Sequence, residues 1–95
     1  MAEYKVPLEF GLKIRMLRDE AGLTSTQFVR ELQSKVGLKI TVGYMTYIEH
    51  RGVIPHERVV RKFAKFFNVD PVMFFDIIKS IKLAKYIEKL NKKYK

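Results

Sequence analysis

The chain has no cysteine, which excludes disulfides and thiolate metal sites. It has only three proline and five glycine in 95 residues, with no low-complexity linker and no internal repeat. No apolar run exceeds a few residues, so no segment is expected to span a membrane. The opening "MAEYKVPLEF" lacks a basic stretch followed by an apolar one, so no signal peptide is expected. The expected location is cytoplasmic. Acidic side chains are also scarce, 10 against 19 lysine and arginine, for a net charge of +9. That excess points to an acidic partner, most often nucleic acid.

What is present is a core. At 47% apolar and 13% aromatic, the composition is that of one folded domain. The charge is unevenly spread. Residues 1–78 hold 12 basic and 9 acidic side chains, whereas 79–95 hold seven lysines and one glutamate. Taken alone, such a tail is as readily a solvated helix face as a binding surface.

Every long segment has helical periodicity. Phe10, Ile14, Leu17 and Ala21 mark one buried face, entered after Pro7 and stopped at Gly22. "TSTQ" provides a capping box, Thr24 with Gln27, ahead of the stripe Phe28, Val29, Leu32 and Val36, which Gly37 ends. Thr41 caps a third helix running to about His50, with Met45 and Ile48 inward. Its other face offers Val42, Gly43, Tyr44, Thr46 and Tyr47, none of them charged. A fourth helix begins near His56, with Val59, Val60, Phe63, Ala64 and Phe67 inward, and closes at Asn68. Asp70-Pro71 starts the fifth. The five glycines are taken as caps and turns. The expected fold is an all-α, compact five-helix bundle with extra helix at the C-terminus.

That C-terminal stretch carries two stripes. Phe74, Ile77, Ile78, Ile81 and Ala84 lie on one face; Leu83, Ile87, Leu90 and Tyr94 lie nearly opposite. One straight helix cannot bury both against one surface. Either the chain breaks near Ser80–Lys82 or the second stripe meets another partner, most simply a second subunit. Ile81, Leu83, Ile87, Leu90 and Tyr94 are the candidate dimer-interface residues. An anionic membrane is a weaker candidate, because the segment is short and the chain has no tryptophan.

Three fragments now resemble one family. "IRMLRDEAGLT" (Ile14 to Thr24), "YIEHRGVIP" (Tyr47 to Pro55) and "FAKFFNVDPVMFF" (Phe63 to Phe75) are similar, in order, to parts of phage-repressor (Xre/Cro-type) helix-turn-helix regulators. The resemblance covers 8–76 and implies a lambda-repressor-like domain there, with 1–7 as an N-terminal arm and 77–95 as a basic amphipathic extension. It implies that the helix from Thr41 to His50 enters the major groove of double-stranded DNA. Carried over by position, Thr41, Val42, Gly43, Tyr44 and Tyr47 contact bases. Ser25, Thr26, Lys39, Thr46, His50, Arg51 and Arg58 contact phosphates, with Arg61, Lys62 and Lys65 less committed. Arg18 and Glu49 match an internal ion pair. The implied regulator is a homodimer on a palindromic operator, a repressor of phage, plasmid or mobile-element type.

The sequence departs from the family twice. "QSKVGLKI" lengthens the turn between the two motif helices by about six residues, so a longer second helix and a wider turn are expected. The usual long amide and guanidinium base readers are missing from the recognition helix, which leaves shape, methyl and hydroxyl contacts. The first motif helix starts with Ser25 where glutamine usually meets phosphate. A protein-interaction module, including the antitoxin of a toxin–antitoxin pair, is the alternative, with the C-terminal helix on a partner protein.

No enzyme site is evident. His50 and His56, with Glu49 and Glu57 nearby, lack the spacing of a helical zinc site. There is no phosphate-cradling glycine loop and no nucleophile with an identifiable base. No metal and no cofactor are expected.

Overall fold

The computed structural model describes residues 9–93. Five helices follow one another: α1 (Glu9–Glu20), α2 (Ser25–Val36), α3 (Val42–His50), α4 (Glu57–Phe67) and α5 (Pro71–Lys93). No strand occurs among the described residues. The N-terminal arm and Tyr94 lie outside them.

Local chemistry sets the boundaries. The Thr24 hydroxyl accepts the Gln27 N–H at 3.1 Å, and the Gln27 side chain accepts the Thr24 N–H at 2.9 Å. The expected capping box is therefore closed. Gly22, Gly37 and Asn68 take positive φ of 73°, 67° and 55° and end α1, α2 and α4. After Gly22 and Asn68, the next N–H reaches back to the carbonyl of Arg18 or Ala64 and satisfies a helix-end acceptor. The Asp70 carboxylate accepts the Val72 N–H at 2.9 Å and opens α5. His56 caps α4 less predictably, its Nδ1 accepting the Arg58 N–H at 3.1 Å.

The core joins all five helices. Phe10, Ile14, Phe28, Leu32, Met45, Ile48, Val60, Phe63 and Phe74 are fully buried. Four of these are phenylalanines, and their rings interlock: Phe10 packs on Phe63 and edge-on against Phe74, and Phe28 packs on Phe63, Phe66 and Phe67. Truncating any one to alanine costs about 3–5 kcal/mol. Ala21, expected on the inner face of α1, is exposed, because α1 stops at Glu20 and the chain turns there.

α3 packs on both α1 and α2. Gly11 makes the first contact close. A Cβ there would collide with the Ile48 carbonyl oxygen and lie 2.9 Å from that of Glu49. Gly11 is thus a close-packing residue inside a helix, not the cap or turn that sequence spacing led us to expect.

Of the two alternatives for the C-terminal stretch, a break near Ser80–Lys82 does not occur. α5 runs unbroken through this point, and Ile78 and Ile81 belong to the core. The division at residue 77 therefore falls within one helix. Ile81, at 3% exposure, is not available to a second chain, because it continues the Phe74–Ile78 stripe. Leu83 and Ile87, on the other stripe, are exposed, and Leu90 is half-buried.

Candidate nucleic-acid interface

α3 is positioned from beneath. Met45 and Ile48 fix its inner face in the core. At its C-terminal end the buried Glu49 carboxylate holds Arg18 of α1 in a two-point grip: Nε and Nη2 donate to its two oxygens at 2.9 Å each. The third arm, Nη1, donates to the Leu23 carbonyl at 2.8 Å, tying in the loop before α2. Hydrogen bonding to Glu49 raises the Arg18 pKa above its ordinary value, outweighing the lowering by burial. The guanidinium stays charged at any accessible pH, and one ion pair locks α1, the α1–α2 loop and α3 together.

The N-terminal end of α3 is set by the turn at 37–41. Leu38 is buried and Ile40 half-buried, so both pin this wide turn to the core. The Leu38 N–H reaches back to the Leu32 carbonyl at 3.1 Å. The Thr41 hydroxyl then accepts the Tyr44 N–H at 3.0 Å. Its own proton remains to be donated outward.

The outward face of α3 carries Val42, Gly43, Thr46 and Tyr47, all exposed. Tyr44 is half-buried and packs on the core, so only part of its ring faces out. The Thr46 hydroxyl donates to the Val42 carbonyl at 3.0 Å. In that rotamer it has no proton left for a phosphate, and it offers only its methyl group and lone pairs. The Arg51 guanidinium sits over the Tyr47 ring, 5.1 Å from its centroid. The two form one unit, with the ring holding a cation whose N–H edges remain outward.

Gly43 is the telling residue here. A Cβ at this position would meet nothing nearer than Thr41 Oγ1 at 3.9 Å. The fold does not need a glycine there, although glycine weakens a helix by up to about 1 kcal/mol relative to alanine. The bare backbone leaves the outward face of α3 open at this position.

Around this face lie donors. The first N–H groups of α2 and α3, at Ser25, Thr26, Val42 and Gly43, have no intrahelical acceptor. Neither helix has an acidic residue in its first turn, in contrast to Glu9 in α1 and Glu57 in α4. Their positive ends are therefore uncompensated, which suits phosphate. Lys39, His50, Arg51 and Arg58 are exposed. Arg61 is committed elsewhere: it pairs with Glu57 at 2.7–2.9 Å and lies over Phe75.

The model of the helix-turn-helix domain family matches residues 9–74, more than two thirds of the chain. The chain belongs to this family. No curated protein and no solved structure matches it. A helix-turn-helix domain suggests a DNA-binding regulator. The sequence could have revealed two features that it did not: Gly11, as a lone glycine within an apolar helical stripe, and the stacking of Arg51 on Tyr47, as residues four apart.

Among the described residues no three of His, Asp and Glu come together as a metal site. No described helix is long and apolar enough to cross a membrane.

Proposed function

We propose that this protein is a sequence-specific, double-stranded-DNA-binding transcriptional regulator, a repressor of the Xre/Cro type from a phage, plasmid or mobile element. It is a cytoplasmic binding protein rather than an enzyme. The observation that carries the proposal is the outward face of α3: uncharged, with Gly43 bare at a position where the fold has room for a side chain. Val42 meets a thymine methyl group, the Gly43 backbone comes close to the base edges, and Thr41 and Tyr47 supply hydroxyls. Lys39, His50, Arg51 and Arg58, with the N-termini of α2 and α3, take the flanking phosphates and set affinity without sequence information. Few groups read bases in a bidentate way, so DNA shape carries part of the specificity.

Regulation is by occupancy. Two copies place their recognition helices in successive major grooves about 34–36 Å apart on a palindromic operator and block promoter access. Tyr47→Ala and Arg51→Ala are expected to weaken duplex binding while leaving thermal stability nearly unchanged, since both residues are exposed. Fluorescence anisotropy beside circular dichroism melting reads both. If neither substitution changes duplex affinity, α3 is not the DNA-reading element.

The exposed side chains Leu83, Tyr86 and Ile87 favour a second reading, a protein-interaction module or antitoxin whose α5 binds a partner protein. Under that reading, loss of these side chains abolishes function without changing DNA affinity. A dimeric repressor instead loses both.

A further inference from the structure

Beyond Ile81, α5 leaves the bundle, and none of its described residues is buried. Leu83, Tyr86 and Ile87 are 57%, 60% and 48% exposed. The arrangement of this stripe is specific. At 100° per residue, Leu83, Ile87 and Leu90 fall within about 60° of one another. That is narrower than the apolar face of a helix packed on a globular surface, and it is the width of a coiled-coil seam. In heptad terms Leu83 and Leu90 stand at d and Ile87 at a. A β-branched residue at a with leucine at d favours two parallel strands.

The charges fit the same partner. Lys82, Lys85, Lys89 and Lys92 occupy the outer c and f positions of this register, away from the seam. Parallel pairing sets each g residue against the following e residue, here Tyr86 against the partner's Asn91, with no like charges opposed. Antiparallel pairing would turn Lys79 and Lys93, both at g, toward one another. A helix lying on anionic lipid carries its lysines on the polar face and buries a broad apolar one with Trp or Phe, whereas the apolar face here is narrow and has neither residue.

We infer that the outer half of α5 pairs in parallel with the same segment of a second copy, as a short two-stranded coiled coil. This deepens the homodimer of the proposed function, but its test needs no DNA. The chain has no cysteine, so single cysteines report cleanly. Leu83→Cys and Leu90→Cys, each alone in the full chain under mild oxidation, are expected to form self-linked dimers. Lys85→Cys, on the outer face, is expected to remain unlinked. Leu83→Ala with Ile87→Ala is expected to raise the dimer dissociation constant roughly tenfold or more by sedimentation equilibrium, with the melting curve checking that the bundle stays folded.

Linkage only when Leu83→Cys and Ile87→Cys chains are mixed would mean an antiparallel pair, in which each d residue faces an a residue, and would overturn the proposal. So would equal linkage at Lys85→Cys, a monomer at every concentration tested, or anionic-vesicle binding that depends on Leu83 and Ile87. Duplex binding without cross-links refutes this pairing alone. Cross-links without duplex binding refute the DNA proposal alone.

Discussion

Replacing Arg18 with methionine removes three donors at once. The Glu49 carboxylate, 1% exposed, loses both of its partners at 2.9 Å, and the Leu23 carbonyl loses one at 2.8 Å. Methionine preserves most of the packing volume, so the cost is electrostatic. An uncompensated buried charge costs about 3–5 kcal/mol. A domain of this size has roughly 5–15 kcal/mol in all, and the loss corresponds to a fall in Tm of roughly 12–40 °C. Glu49→Gln is milder, because an amide oxygen still accepts from Arg18 and Asp19 lies 3.6 Å from the guanidinium; about 1.5–3 kcal/mol is expected. The double variant Arg18→Met/Glu49→Leu removes both charges and is expected to be no less stable than Arg18→Met alone, a coupling of up to about 3 kcal/mol. Urea unfolding at 25 °C, followed by two probes to check two-state behaviour, measures all three. If Arg18→Met costs less than about 1 kcal/mol, the pair behaves as a surface ion pair and does not lock α3.

Two glycines give opposite expectations for the same substitution. Gly11→Ala forces a methyl group into the backbone of α3 and is expected to destabilise by about 1–3 kcal/mol or more, read by thermal melting. Gly43→Ala is expected to stabilise the fold by up to about 1 kcal/mol yet weaken duplex binding; unchanged affinity would remove the close backbone approach from the mechanism. Lys39→Ala and Arg58→Ala are each expected to reduce the salt slope of duplex binding by about 0.9, with an unchanged slope meaning no phosphate contact. Thr24→Ala opens the capping box of α2 and is expected to cost about 0.5–2 kcal/mol in urea unfolding.

Much of the fold was legible because its signals are local. Thr24 with Gln27, Thr41, Asn68 and Asp70-Pro71 each act within four residues, so spacing alone places them. The phenylalanine core followed from helical period. The Arg18–Glu49 pair spans 31 residues and entered only through family resemblance, since no periodicity links two such distant side chains. Gly11 was misread because its reason is the backbone of another helix. Tyr44 was placed with the outward residues but is half-buried: it stands four before Ile48, at the edge of the inner stripe. Ile81 was counted among the dimer-interface candidates although its spacing from Phe74 and Ile78 puts it on the inner stripe, where it is buried. Whether Thr46 has a spare proton depends on a rotamer, which no sequence pattern reveals.

The most direct measurement is selection of the full chain against a randomised duplex library, followed by anisotropy on the recovered sequences and on unrelated duplex in a salt series. The expected result is an inverted repeat with half-sites about one helical turn apart, bound at least ~10³-fold more tightly than unrelated DNA. Weak binding with a steep salt dependence and no consensus would contradict it. The lysines of α5 would then be a generic polycation, and the bare face of α3 would not be a reader of DNA.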